Sequence, residues 1–396
     1  MEVPFSYSFT VSKLPDRGLD IYLGDIFILA IFVCVLIAVC FEGVWFLKNV
    51  PGIIYSFFLL ASLFSTIVGL IITTESWTKS AESILFWIRH FEYFIVFTAI
   101  VYSLSVSPQK LQYIIKTSML SCLLAVLWIY YQGISGNYGY VNNLGLGRAT
   151  LIFDNGPNPA GSYVSLFIPL FLALYFEIKS EIKSYIYLIM VPISIGAIFL
   201  TGSRASLGGA VIGSMLTLML LLPALNVRRA LLSVFALAVP LLLVFSIGLL
   251  QLQRFYAFFE RGLQNLGGRY DDWILSLRTF SENPIFGSGM SLSGQTWTEN
   301  YYLRLLSEQG LIGATFFLLF VGSTSYYALR LARNSDPYSS IGYGYAGLLA
   351  VMLSSSFYSS KIIVFQPAIC FWVFTALMVH LSLSSAFYSK HKAHLN

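Results

Sequence analysis

The sequence predicts an all-α membrane protein, a polytopic helix bundle of about 11 transmembrane helices with a large extracytoplasmic loop that contains short helices. Hydrophobic residues make up 57% of the 396 residues, and charged residues only 10%, against roughly 25% in a soluble domain. Apolar runs of bilayer-spanning length recur along the chain, too long and too uniform for the alternating strands of a β-barrel. We expect residues 1–396 to form a single integral membrane domain.

The spans follow from the length of each apolar run, because a helix needs about 20 mostly apolar residues to cross a bilayer. Several runs, such as 184–203 and 230–253, contain no charged residue. The eleven predicted spans are, in order, 22–45, 50–74, 81–105, 111–132, 157–178, 184–201, 205–224, 230–251, 300–328, 339–360 and 362–388.

The orientation follows from the lysines and arginines in short loops, which accumulate on the cytoplasmic side. One set of alternate connections, with the C-terminal tail, holds Lys48, Lys110, Lys116, Lys179, Lys183, Arg228, Arg229, Arg330, Arg333, Lys390 and Lys392. The opposite set of short loops holds Lys79, Arg148, Arg204 and Lys361. We therefore expect a multi-pass protein in which the first set of connections is cytoplasmic, with the N-terminus outside and the C-terminus inside.

The composition excludes several functions. A mean hydropathy of +0.76 is incompatible with a cytosolic enzyme, a disordered regulator or a secreted disulfide scaffold. Cys34, Cys40, Cys122 and Cys370 lie in apolar runs without metal-ligand spacing, so we expect neither a zinc site nor a disulfide framework. The net charge of +5 reflects topology rather than affinity for nucleic acid. Walker, dinucleotide-binding and zinc-protease motifs are missing from the sequence, and we expect no cofactor and no metal.

The predicted outer side carries the two longest connections, 133–156 and 252–299. The second is the most charged part of the chain, and its stretch 269–281 has helical periodicity. That pattern predicts a short amphipathic helix that lies along the membrane surface or caps a cavity. Arg269 would stand at the N-terminus of this helix, where backbone donors favour an anion. Asp271 and Asp272 are adjacent and point about 100° apart, so we do not expect them to share a metal.

Two further outer clusters contain candidate residues. The turn 201–204 ends in Arg204, whose guanidinium either binds an anion such as phosphate or snorkels to lipid headgroups. The stretch 298–313 opens with Glu299, which is either a helix N-cap or a general base facing a cavity. Arg304 and Glu308 are four residues apart on the same helix, and we interpret them as a structural ion pair.

Other polar groups are weaker candidates. Arg148 and Asn158 precede the fifth helix and are expected to line the same outer site. Arg89, His90 and Glu92 lie inside the third helix, where ionisable groups are functional candidates by default, although these neighbours can also satisfy one another.

These clusters, in this order, resemble the O-antigen ligase and O-antigen polymerase family of bacterial envelope polysaccharide enzymes. The resemblance covers about 147–330. The stretches that carry it are TGSRASL at 201–207, GGRYDDW at 267–273, NPIFGSGM at 283–290 and ENYYLRLLSEQGLIG at 299–313, preceded by an outer loop at 147–170.

The resemblance implies a GT-C-like membrane glycosyltransferase that transfers a glycan from a polyprenyl-diphosphate carrier to an acceptor hydroxyl. The turn arginine of the family falls on Arg204 and its loop arginine on Arg269. In the ligase branch a histidine-asparagine pair opens the last motif, where this sequence has Glu299 and Asn300. This departure favours a polymerase that joins repeat units over a ligase that transfers a finished glycan.

The predicted chemistry is metal-independent. Arg204 and Arg269 would bind the diphosphate, and Glu299 would take the proton of the acceptor. Predicted substrate-binding residues are Arg148, Asn158, Arg278, Asn300, Tyr301 and Tyr302. The expected partners are the lipid-linked glycan, membrane lipid and a chain-length regulator. A ligase from the same family and a transporter or flippase of lipid-linked glycan are the alternatives.

Overall fold

The computed structural model describes residues 23–42, 49–73, 77–141, 147–151, 156–178, 180–222, 226–250, 269–292, 299–333, 338–358, 362 and 364–395. In this part of the chain the helices are α1 Leu23–Glu42, α2 Val50–Thr73, α3 Trp77–Val106, α4 Lys110–Ser135, α5 Pro157–Glu177, α6 Glu181–Thr201, α7 Arg204–Leu221, α8 Val227–Leu250, α9 269–282, α10 Tyr301–Arg333, α11 Ser339–Ser355 and α12 Phe365–Leu395. Strands β1 Tyr140–Val141 and β2 Gly147–Arg148 form an antiparallel pair in which Tyr140 lies opposite Arg148.

The predicted all-α membrane fold is confirmed. Every predicted span coincides with a helix, and eight helices among the described residues are long and apolar enough to cross a membrane. The predicted helix at 269–281 is α9. The rest of the predicted loop 252–299, apart from residues 283–292 and Glu299, lies outside the described residues. The single-domain prediction is not tested, but the chain forms two compact units.

Unit 1 comprises residues 1–108 and 267–324 and contains α1, α2, α3, α9 and most of α10. Its core is rich in aromatic side chains. Their rings pack against one another edge to face or tilted, the arrangements that aromatic pairs prefer. Tyr55 on α2 meets Phe320 on α10 with ring centroids 5.1 Å apart, and Phe32 on α1 meets Phe91 on α3 at 5.7 Å. Contacts between aromatic rings therefore join α2 to α10 and α1 to α3 in unit 1.

Helix α10 is interrupted at Gly310, where φ is 63° and ψ is −164°. Residues 283–292, which we call the docking segment, pack into this interruption. The backbone bonds that close it are Ser288 N to Ser307 O at 2.9 Å, Gly289 N to Glu308 O at 2.9 Å, Leu311 N to Pro284 O at 2.9 Å and Ile312 N to Ile285 O at 3.2 Å. The docking segment therefore satisfies backbone groups that would otherwise be unpaired inside a spanning helix.

Unit 2 comprises residues 109–266 and 325–396. Its centre is α5, most of which is buried, in contact with α4, α6, α7, α11 and α12. Helices α7 and α11 approach so closely that a Cβ on Gly213 would overlap the Gly347 carbonyl. Small residues at such contacts bring two backbones together in membrane proteins. The packing fixes the N-terminal ends of α5 and α7, where candidate site residues lie.

Candidate functional site

In unit 2, Arg148 on strand β2 connects two helix ends. Its Nε donates to Thr201 O at the end of α6, at 2.8 Å, and its Nη2 donates to Asn158 Oδ1 at the start of α5, at 2.9 Å. Ala149 N also bonds Leu200 O at 3.1 Å, which fixes the strand against α6. A cation at a helix C-terminus is favourable because the last carbonyls carry partial negative charge.

Arg204 is the first residue of α7 and its side chain is exposed. The turn that places it depends on Gly202, whose φ of 63° lies in the left-handed region that favours glycine. A Cβ at Gly202 would lie 3.1 Å from Arg148 Nε, so this turn also packs against Arg148. Burial lowers the pKa of Arg148, and the nearby charge of Arg204 lowers it further. The Arg148 guanidinium nevertheless stays protonated at physiological pH, because the ordinary pKa of arginine is so high.

A cluster of hydroxyls holds the N-terminal ends of α5 and α7 together. Ser206 Oγ lies 2.7 Å from Ser203 Oγ and 3.0 Å from Ser162 Oγ, and all three serines are buried. Gly161 makes room for this contact, since a Cβ there would meet the Thr201 hydroxyl at 2.7 Å. We call Arg148, Asn158 and Arg204 the arginine cluster. It combines two cations with two adjacent helix N-termini, which together favour a bound anion.

In unit 1, Arg269 on α9 forms an ion pair with Glu299. The two side chains are 45% and 46% exposed, so a substrate can reach both. The N-cap of α10 is Asn300 rather than Glu299. Asn300 Oδ1 accepts from Tyr302 N at 3.0 Å and from Leu303 N at 3.3 Å. The N-cap interpretation of Glu299 is therefore replaced, and its carboxylate faces Arg269 instead.

Two of the other predicted substrate-binding residues of unit 1, Tyr301 and Arg278, make their described contacts elsewhere. Tyr301 is 3% exposed and packs edge to face on Phe317, so its ring belongs to the core. Arg278 is 76% exposed and pairs with Glu282 at 3.4 Å, nine residues from Arg269 along α9. Nine residues at about 100° each place Arg278 on the opposite face of the helix from Arg269. Tyr302 is half-buried beside Tyr301. Roles for these residues in binding remain predictions.

The predicted pair of Arg304 and Glu308 forms, with Arg304 Nε 2.9 Å from Glu308 Oε1 and both residues buried. The sequence analysis missed its third member, Ser291, whose backbone N donates to Glu308 Oε1 at 3.1 Å. Ser291 has a φ of 56°, in the left-handed region. The glycines of the preceding run 287–290 are the sequence signal that indicates a tight turn here. The mutual pairing considered for Arg89 and Glu92 also forms, at 2.9 Å.

Within the described residues, histidines, cysteines, aspartates and glutamates do not gather in groups of three or more that could hold a metal ion. The predicted independence from metal stays a prediction.

Comparison with known families finds a match in the central part of the chain. Residues 189–318 match the family model of O-antigen ligase. The resemblance to the O-antigen ligase and polymerase family is thereby confirmed over most of α6, α7, α8, α9 and the first half of α10. The matched stretch contains Arg204, Arg269 and Glu299, whereas Arg148 and Asn158 precede it. A search of curated proteins found no match.

The match indicates a membrane enzyme of the O-antigen ligase or polymerase type that acts in polysaccharide biosynthesis. The described geometry fits such an enzyme in each unit separately. The arginine cluster of unit 2 has the charge and donors for a phosphate group. The Arg269–Glu299 pair of unit 1 supplies an accessible carboxylate.

Proposed function

We propose that this chain is a membrane glycosyltransferase that polymerises polyprenyl-diphosphate-linked oligosaccharide repeat units into a surface polysaccharide. The reaction would take place at the outer face of the cytoplasmic membrane, in keeping with the distribution of Lys and Arg among the loops. The observation that carries the proposal is the arginine cluster at the joined N-termini of α5 and α7. The match of residues 189–318 to the O-antigen ligase family supplies the reaction class.

The arginine cluster would bind the diphosphate of the lipid carrier. Guanidinium groups match phosphate oxygens with paired donors, and helix N-termini add backbone N–H groups and a favourable dipole. Arg148 is held by Thr201 O and Asn158 Oδ1, so its position is fixed before substrate arrives. Preorganised donors stabilise the negative charge that develops on the leaving diphosphate.

The Arg269–Glu299 pair would act on the acceptor. The acceptor hydroxyl oxygen attacks the anomeric carbon of the donor sugar and forms the new glycosidic bond. The bond between that carbon and the diphosphate oxygen breaks, and its electron pair leaves with the diphosphate. Glu299 takes the proton of the hydroxyl, and Arg269 orients the carboxylate through their ion pair. The donor bond supplies the free energy, so the step requires no nucleotide.

Glu299 supports the polymerase proposal over a ligase, because it stands where the ligase branch has histidine. The interruption of α10 at Gly310 favours a second candidate, a flippase, since broken helices line transport sites. The backbone groups at this interruption are paired with the docking segment, however, and this pairing favours the enzyme. A chain-length regulator remains a proposed partner.

The test uses the purified full-length chain in lipid nanodiscs with a synthetic polyprenyl-diphosphate-linked repeat unit. We expect a ladder of products that grow by one repeat unit, with release of the polyprenyl diphosphate. Transfer of a preformed polymer to a lipid acceptor, without growth of repeat units, would identify a ligase. Movement of the intact donor between leaflets of a proteoliposome, without new bonds, would identify a flippase. Either result contradicts the polymerase proposal.

A further inference from the structure

The docking segment is fitted closely to one place on unit 1. Gly287 and Gly310 have φ values of 73° and 63°, and a Cβ on either would overlap the opposite backbone. Ser65 Oγ on α2 lies 2.5 Å from Phe286 O and 2.7 Å from Glu308 O. One hydroxyl therefore connects α2, α10 and the docking segment, which leaves little freedom for the segment to shift.

A buried carboxylate fixes the far end of the same segment. Glu308 Oε1 accepts from Arg304 Nε at 2.9 Å and from Ser291 N at 3.1 Å. Ser291 Oγ in turn donates to Glu82 Oε1 on α3 at 3.3 Å. The guanidinium of Arg304 lies 5.0 Å from the centre of the Phe86 ring. Arg304 and Glu308 alone would be enough to neutralise each other's charge. The hydrogen bond from Ser291 N to Glu308 is additional, and it ties the docking segment to α10.

The docking segment continues directly from α9. Asn283 N bonds Thr279 O and Phe280 O, each at 3.2 Å, so the helix passes into the segment without a free linker. The distance from this junction to Arg269 is about 20 Å along the axis of α9. A tilt of about 10° at the junction would move Arg269 by roughly 3.5 Å over that length.

We propose that Glu308 is a positioning residue for the reaction. Its carboxylate anchors the docking segment through Ser291, and the segment holds the base of α9, which sets Arg269 against Glu299. This inference rests on the proposed function for its kinetic consequence, but its structural consequence can be measured separately. Displacement of a reacting group by about 1 Å can lower a rate by about 100-fold.

The kinetic test compares Glu308→Leu, which removes the acceptor of the Ser291 N–H, with a matched control. The control is Glu92→Leu, which also removes a carboxylate paired with an arginine inside a spanning helix of unit 1. We expect Glu308→Leu to lower kcat about 10- to 100-fold with little change in KM for the donor, and Glu92→Leu to leave both parameters unchanged. Equal effects of the two substitutions would overturn the proposal.

A charge-swapped double variant separates positioning from charge balance. Arg304→Glu with Glu308→Arg keeps opposite charges at the two buried positions, but arginine cannot accept a hydrogen bond from Ser291 N. We expect this double variant to remain as slow as Glu308→Leu. Recovery of the original kcat would show that only charge neutrality matters and would overturn the proposal.

The structural test does not depend on activity. Spin labels at residue 274 of α9 and residue 53 of α2, both exposed, report the distance between these helices in the full-length chain by pulsed electron paramagnetic resonance. We expect one narrow distance distribution in the parent and in Glu92→Leu, and a broadened or shifted one in Glu308→Leu. An unchanged distribution in Glu308→Leu would overturn the inference.

A second variant moves the docking segment without altering charge. Gly287→Ala introduces a Cβ that overlaps the Glu308 backbone and occupies a strained φ. We expect the same broadening as in Glu308→Leu, and an unchanged distribution would overturn the inference even if Glu308→Leu does not fold. If the parent chain forms no polymer, the proposed function fails, whereas the spin-label distances still decide the role of Glu308.

Discussion

The arginine cluster of unit 2 and the ion pair of unit 1 differ in the groups that surround their positive charges. The described hydrogen bonds of Arg148 join it to uncharged groups, Thr201 O and Asn158 Oδ1, which orient the guanidinium without cancelling its charge. Arg269 instead contacts a carboxylate, that of Glu299. The first arrangement suits an incoming anion, and the second suits a carboxylate that must be held in one orientation. In the proposed function, the first arrangement would bind the leaving group and the second would accept the proton.

The largest predicted effect comes from Glu299→Gln, which keeps the shape of the side chain but removes the base. We expect the polymerisation rate to fall roughly 10²- to 10⁴-fold, because general-base catalysis contributes on that scale. Affinity for the donor should stay unchanged, since Glu299 does not bind the diphosphate. The measurement is the initial rate at saturating donor, and normal polymer lengths in this variant would remove Glu299 from the mechanism.

The second effect comes from Arg204→Ala. We expect a rate loss of roughly 10²- to 10³-fold, comparable to removal of one donor from a preorganised anion site. Arg204→Lys should recover only part of the rate, because an ammonium cannot present paired donors. Arg228→Ala, at an exposed arginine at the start of α8, is the control and should behave as the parent. Equal rates for Arg204→Ala and the control would contradict the assigned role.

A smaller effect is expected from Arg148→Gln, which keeps a side-chain N–H near the position of Nε for Thr201 O but loses the charge and the reach to Asn158 Oδ1. Charge-assisted hydrogen bonds contribute about 1.5–3 kcal/mol, so KM for the donor should rise about tenfold or more. Titration of initial rate against donor concentration measures this change. A fall in kcat with an unchanged KM would contradict this prediction, because it would show that Arg148 does not contribute to binding of the donor before the reaction.

The smallest effect concerns Asn300, whose side chain caps α10. Asn300→Ala should lower the free energy of unfolding by about 1 kcal/mol, whereas Asn300→Ser should preserve the cap. Thermal unfolding in detergent compares the two variants. If Asn300→Ser keeps its stability but loses activity, Asn300 contacts substrate as well as capping the helix, as the sequence analysis predicts.

Local physics made much of the fold predictable from sequence. Spanning helices must be apolar over a fixed length, so hydropathy alone located them. The Arg304–Glu308 pair was predictable because residues four apart meet on one helix face. Helix ends were less certain, and α12 continues to Leu395 past the apolar run because hydropathy does not require a helix to stop.

Non-local contacts account for what the sequence could not show. The interruption at Gly310 lies within the apolar pattern of α10, and it depends on backbone partners from the docking segment. The contact of Arg148 with Thr201 joins residues 53 apart in the sequence. The N-cap of α10 could have been assigned to Asn300, since asparagine is a strong capping residue, but Glu299 beside it obscured the choice.

The most direct test of the central claim is the affinity of the purified chain in nanodiscs for polyprenyl diphosphate and for polyprenyl monophosphate. If the arginine cluster binds the diphosphate, the parent should prefer the diphosphate about tenfold or more, and Arg204→Ala should lose that preference. Equal affinities of the parent for the two lipids, or an unchanged preference in Arg204→Ala, would contradict the account.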